Sequence, residues 1–329
     1  MSSQLLDNQQ VITATLSVFA VVAVGFFCRF KSLLTSESIS AGMKVLVNVM
    51  MPCFIWQKLA GKSTGDSSNL ILLPLLGIGL VVSSLLFMRL FTLIAGNKLG
   101  LDSHEKIKTF TYSTALQNYG FLPIPLVIML YGEQLLPLLL LHNVVIEIFV
   151  WTVGVSYLSG SIGWKMLKKV FSPPAISAIL ALIVNSLELS IEAIPAVVSN
   201  PISIIAQASV PTALILIGGT IFEELSKLRD WRQAWPNYLK ICTISSVFRL
   251  GILPFVMLSL LSLFEFPDDV KKILLLQAAM PAAIMPVVMT RLYGGHPLTA
   301  IKIAVVTSFL GLISISFWIS YGQTILFGK

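Results

Sequence analysis

The chain has 329 residues, of which 56% are hydrophobic and only 11% charged, and its mean hydropathy is +0.89. A soluble globule carries about 25% charged residues, so this composition excludes one and leaves a polytopic membrane protein embedded in a lipid bilayer. The net charge of +7 gathers in short loops between apolar segments, as cytoplasmic loops do, and calls for no nucleic-acid partner.

Windows of about 20 apolar residues predict ten spans, at roughly 9–29, 40–60, 69–95, 108–131, 134–159, 173–189, 196–222, 236–264, 271–293 and 298–325. The first ten residues contain no Lys or Arg, and no convincing cleavage site follows the first apolar run. That run is therefore expected to remain as a span and not to act as a signal peptide. With the N-terminus outside, fifteen basic residues fall on the cytoplasmic side, among them Lys165, Lys168, Lys169, Lys227, Arg229 and Arg232. Only five, Lys58, Lys62, Lys271, Lys272 and Lys329, fall outside. The bias predicts that both termini lie outside. Cys28, Cys53 and Cys242 lie in apolar stretches without paired spacing and read as small core side chains.

Pro123 and Pro125 lie within the fourth predicted span, and Pro281 and Pro286 within the ninth. Proline removes a ladder hydrogen bond and clashes with the preceding turn, so both helices should be broken. Freed backbone at membrane depth is tolerated only where protein or a water-filled cavity satisfies it, and paired broken helices point to a transporter's binding site. The chain also resembles itself at an offset of about 160 residues. Leu130-Tyr131-Gly132 recurs as Leu292-Tyr293-Gly294, Arg89-Leu90 as Arg249-Leu250, and Pro52 is answered by Pro211. The expected fold is therefore all-α, with ten transmembrane helices as two inverted five-helix repeats joined near Phe171-Ser172-Pro173-Pro174, and broken helices 4 and 9 crossing at the midplane.

Asn118-Tyr119-Gly120-Phe121-Leu122-Pro123-Ile124-Pro125-Leu126 followed by Leu130-Tyr131-Gly132 resembles the fourth span of the auxin efflux carrier family, which includes bacterial organic-acid permeases and the plant PIN and PIN-like carriers. Ala278 to Pro286, then Tyr293 and His296-Pro297, is similar to the family's ninth span. The resemblance implies the fold of the wider bile acid/sodium symporter superfamily. Spans 1–2 (residues 1–65) and spans 6–7 with their linker (165–230) would form a scaffold that also makes the homodimer interface. Spans 3–5 (66–164) and 8–10 (231–329) would form a transport domain that moves elevator-fashion. It also implies a plasma membrane location, in a bacterium the inner membrane. The linker from Lys165 to Ser172 is short, as in the compact form of the family.

A restarting half-helix presents unpaired N–H groups and a positive dipole end, so two of them facing one point make a carboxylate site without a fixed cation. The expected donors are the Asn118 amide and the N–H groups around Gly120, Phe121, Ala282 and Ala283. Family resemblance implies that an Asn at the position of Asn118 contacts the substrate carboxylate. Many relatives carry a second Asn after the first proline of span 9. Here that stretch reads Ala282, Ala283, Ile284, Met285, so its side of the pocket is more apolar. Tyr119, Pro123, Pro125, Pro281, Met285 and Pro286 complete the candidate site, and Gln207 and Thr212, flanking Pro211, are candidate scaffold wall residues.

Glu147 lies mid-way along span 5, where an unpaired charged acid costs about 2.5–3.5 kcal/mol. His142 and Asn143 precede it on the same helix, and Arg249 in span 8 is a candidate ion-pair partner or substrate counter-charge. These four are the coupling candidates, with a proton as the favoured coupling ion and sodium less favoured; no cofactor or metal is expected. The sequence lacks HExxH, GxSxG and GxGD, and His104, His142 and His296 are scattered, so no enzyme is expected. The expected function is transport of a small organic anion such as auxin, malate or malonate. A sodium-coupled bile-acid-type symporter, or a ligand sensor built on a transporter fold, is the alternative.

Overall fold

The computed structural model describes residues 6–62, 67–160, 171–189, 194–226 and 235–328. Lys165, Lys168, Lys169, Lys227, Arg229, Arg232 and Lys329 of the charge argument, and most of the linker, lie outside the described residues. Twelve helices are formed among those described. They are α1 (Asn8–Phe30), α2 (Ser36–Leu59), α3 (Ser67–Ala95), α4 (His104–Ala115), α5 (Pro123–Tyr131) and α6 (Glu133–Ser159). The second half contains α7 (Pro173–Ser186), α8 (Ala196–Ser226), α9 (Trp235–Val247, running on through Leu253–Ser262), α10 (Asp268–Ala279), α11 (Met285–Tyr293) and α12 (Pro297–Phe327).

Seven of these, α1, α2, α3, α6, α8, α9 and α12, are long and apolar enough to cross a membrane. The other three predicted spans differ. The fourth and ninth are each split into two short helices, α4/α5 and α10/α11, while α7 is a single helix of 14 residues that rises only about 21 Å. Local chemistry starts and stops the helices. Asp7 and Thr35 form capping boxes at α1 and α2, and Ser103 and Ser172 accept from the first turns of α4 and α7.

The helices fall into two packing groups. In one, α1 packs on α8, and α2 packs on both α7 and α8. In the other, α3 packs on α4 and α6, while α12 packs on α4, α9, α10 and α11. The outward faces are apolar, with Ile94 84% and Ile313 78% exposed, as suits a surface facing lipid tails. Lipid tails are as apolar as leucine, so close packing and polar contacts must hold the helices together.

Three helices widen into π turns, at Leu46–Met50 in α2, Val150–Gly154 in α6 and Phe248–Ile252 in α9. In α2, just after the first of them, Pro52 cannot donate, and neighbouring serines supply bonds: Ser209 Oγ donates to the Met50 carbonyl at 2.9 Å and Ser177 Oγ to the Pro52 carbonyl at 2.7 Å. In α9, Pro254 likewise cannot serve the Leu250 carbonyl, which accepts the Trp318 indole N–H at 2.5 Å instead.

The α1–α8 crossing depends on two glycines. A Cβ on Gly25 would stand 2.0 Å from the Ile215 carbonyl oxygen, and one on Gly218 would stand 1.9 Å from that of Val22. Backbone meets backbone here, and no rotamer change can relieve a clash. Gly218→Val should destabilise the protein by about 1–3 kcal/mol or more, read as a lowered unfolding temperature in detergent. The same change at Gly79, where a Cβ meets nothing within 4 Å, should be nearly neutral.

Candidate functional site

The two interrupted helices meet at their interruptions. After α4 ends at Ala115 the chain turns extended at Leu116, and after α10 ends at Ala279 it is extended at Met280, the conformation a residue before proline prefers. These extended segments pair antiparallel through Gln117 and Ala282. Asn118 N donates to the Pro281 carbonyl at 2.8 Å and Ala283 N to the Leu116 carbonyl at 2.9 Å. Ala282 N donates to Thr307 Oγ1 of α12 at 3.2 Å. Each broken strand thus satisfies the other.

This pairing corrects one expectation. The N–H groups of Ala282 and Ala283 are already engaged and do not face an empty site. Those of Gly120 and Phe121 make no hydrogen bond among the described residues, and neither does that of Ile284. The prolines explain how α5 and α11 can restart here: Pro123 and Pro125 in the first turn of α5, and Pro286 in that of α11, lack donors that a helix start would leave orphaned. The Asn118 side chain is buried, at 7% exposure, and its amide makes no hydrogen bond among the described residues. Phe121 packs against a cluster of Leu46 of α2 and Ala213 and Leu216 of α8, so this edge of the crossover faces the other packing group. Met285 packs with Tyr119 and Ala283.

The opposite, C-terminal ends of the broken helices are closed by one side chain. Arg249, fully buried on the π turn of α9, donates from Nη1 to the Ala115 carbonyl at 3.2 Å and from Nη2 to the Ala278 carbonyl at 3.1 Å. No salt bridge joins it to Glu147 among the described residues. Its compensation comes from two helix ends, each bearing about half a negative charge.

Glu147 binds elsewhere at the crossover. Its carboxylate accepts from Tyr119 Oη at 2.6 Å and from Trp151 Nε1 at 2.7 Å. Asn143 accepts from Gln277 Nε2 at 3.3 Å, and the same nitrogen donates to the Tyr119 carbonyl at 3.1 Å. His142 is 1% exposed, its Nδ1 lying 3.3 Å from Asn143 Oδ1. Tyr119, Glu147, Asn143, His142 and Gln277 therefore form one polar cluster beside the crossover. Gln207 and Thr212 lie on α8, where Gln207 is exposed and donates to Ser203 Oγ of its own helix at 3.2 Å; neither has a hydrogen bond to the crossover.

Among the described residues, two ion pairs join the packing groups. Lys58 at the end of α2 meets Glu133 at the start of α6 at 2.8 Å, and Glu224 on α8 meets Arg291 on α11 at 2.9 Å, with Glu224 7% exposed along its side chain. Below the second pair, Thr220, Ile221, Ile284 and Val287 close around a space of only 10 Å³.

Sequence reasoning missed Gln277, Thr307 and Trp151. Gln277 carried a signal, being a polar side chain in an otherwise apolar run, and Trp151 stands four residues after Glu147 on one helical face. Thr307 had none.

The sequence pattern of the family described as "Membrane transport protein" matches residues 10–165 and 160–319. The chain belongs to this family. The match agrees with the auxin efflux carrier resemblance and makes the chain a multi-pass membrane transporter, with no enzymatic activity indicated. It is similar to an uncharacterised transporter of Methanocaldococcus jannaschii, 24% identical over 92% of this chain and 96% of the relative. It is also similar to an uncharacterised transporter of Methanothermobacter thermautotrophicus, 26% identical over 83% of this chain and 86% of the relative.

Thr307→Val keeps the shape but leaves the buried Ala282 N–H without an acceptor. It should destabilise the transporter by about 1–3 kcal/mol, while Thr307→Ser should retain most of the stability; thermal unfolding of the two variants in detergent checks this.

Proposed function

We propose that the transporter is a secondary carrier of a small organic anion, held at the crossover between the α4/α5 and α10/α11 interruptions. The observation that carries this reading is the pair of interrupted helices bonded to each other, with the Asn118 amide and the Gly120, Phe121 and Ile284 N–H groups unbonded among the described residues. Helix N-termini at membrane depth favour negative charge, and a carboxylate could accept from such donors. The apolar neighbours Phe121, Ile284 and Met285 favour a monocarboxylate with a hydrophobic body over a dicarboxylate.

On this reading the ten predicted spans form two inverted five-span repeats. The packing groups correspond to the two domains: α1, α2, α7 and α8 are the scaffold, which also forms the homodimer, and the remaining helices are the elevator-type transport domain. The charge bias places both termini outside a plasma membrane. Glu147, with Tyr119, Asn143 and His142, is the proton-coupling group. An uncoupled monovalent anion gains about 2.3 kcal/mol per 100 mV on leaving an inside-negative cell, which favours export, whereas a proton moving with the anion makes the step electroneutral and permits import.

Electrogenic transport on a solid-supported membrane, with proteoliposomes and a panel of mono- and dicarboxylates, tests the site. Asn118→Ala, still folded, should weaken apparent substrate affinity by about 10- to 100-fold, the loss of one hydrogen bond to a charged group. Binding without either current or radiolabelled flux in the wild type would sink the carrier reading in favour of a sensor. In Glu147→Gln, radiolabelled flux should persist but lose its dependence on external pH; a pH profile unchanged from wild type would remove Glu147 from coupling.

A further inference from the structure

The C-terminal ends of broken helices are a cation site by construction. Their last carbonyls have no intrahelical partner, cannot reach water at membrane depth, and carry about half a negative charge per helix. In transporters built on broken helices such carbonyls coordinate a sodium ion or a proton. Here the carbonyls of Ala115 and Ala278, one from each broken helix, are 3.2 and 3.1 Å from the two terminal nitrogens of a single guanidinium. Arg249 is 0% exposed and has no carboxylate within ion-pair distance among the described residues. One full positive charge therefore meets two half-negative ends, and the pocket that a mobile cation would neutralise is filled by a covalently attached one.

We infer that the Arg249 guanidinium is a built-in replacement for a coupling cation at the Ala115 and Ala278 carbonyls, so that the protein binds and requires no sodium there. The α9 backbone is shaped for this role. The π turn at Phe248–Ile252 carries Arg249, and the carbonyl that Pro254 leaves unserved within that turn is satisfied by Trp318. Arginine suits the position better than lysine, because its planar fork reaches two carbonyls at once and remains charged when desolvated.

The inference rests on the carrier reading only where flux is measured; its first test does not. Wild type, R249A and the bulkier neutral R249Q are purified in detergent, and unfolding temperatures are recorded in choline, sodium and dilute methylguanidinium chlorides at equal ionic strength. The wild type should unfold at the same temperature in all three. The neutral variants should unfold earlier in choline and recover saturably when methylguanidinium or sodium enters the vacated site. A folded neutral variant indifferent to both cations, or a wild type stabilised by sodium over choline, overturns the inference. Should neither variant fold, wild-type flux decides: equal rates in sodium and choline uphold the built-in cation, and stimulation by sodium refutes it. Absence of flux for every carboxylate would count against the carrier reading alone, because the stability comparison stands without it.

Discussion

A peptide N–H or carbonyl left without a partner in lipid costs several kcal/mol, and the breaks and two of the widened turns among the described residues answer that constraint. The two helices broken by proline are bonded to each other through Asn118, Pro281, Leu116 and Ala283, so neither break could exist without the other. In α9 Trp318 serves the Leu250 carbonyl that Pro254 leaves unserved, and in α2 Ser209 and Ser177 bond the Met50 and Pro52 carbonyls. Arg249 closes the two helix ends that nothing else reaches. The result is a transporter whose centre is irregular and yet has the Ala115 and Ala278 carbonyls bonded on its C-terminal side. The unbonded N–H groups of Gly120, Phe121 and Ile284 lie on its N-terminal side, and on the proposed reading that side is the one that favours negative charge.

Much of this was legible in the sequence because proline acts locally. Its missing N–H marks its own position, and Pro123, Pro125, Pro281 and Pro286 locate both interruptions within a few residues. Glu147 was legible for a similar reason, since an acid within an apolar run is conspicuous. Its partner Tyr119 was identifiable only as a neighbour of the same break, because 28 residues separate them. The role of Arg249 could not be read. Its partners lie 134 and 29 residues away and are backbone carbonyls, which leave no trace in side-chain identity, and the expected ion pair with Glu147 rested on charge sign alone. The same blindness to backbone partners hid the engagement of Ala282 and Ala283. The length of α7 and the π turns were also beyond reach, since hydropathy reports how apolar a segment is and not how its helix begins, ends or widens.

The ion pairs between the packing groups have opposed polarity. In Lys58–Glu133 the cation belongs to the α1, α2, α7 and α8 group, whereas in Glu224–Arg291 that group supplies the anion. They also differ in strength. Glu133 is 62% exposed along its side chain and its pair is worth little, while Glu224 is nearly buried and both its oxygens lie within 3.0 Å of one Arg291 nitrogen. Beside a space of about one water's size, the second pair is the firmer of these two ion pairs.

A guanidinium anchored beside the crossover also has an electrical consequence. If the helices carrying the crossover slide through the membrane as one body, Arg249 travels with them, and so does the carboxyl group of Glu147 on α6. Whenever that group is without its proton, two opposite charges cross the field together and their contributions to the displaced charge cancel. With a proton on Glu147, Arg249 would instead balance the bound anion, so the loaded stroke of a proton-coupled cycle would also be electroneutral. In that cycle Arg249 is the counter-charge, alternately to Glu147 and to the cargo.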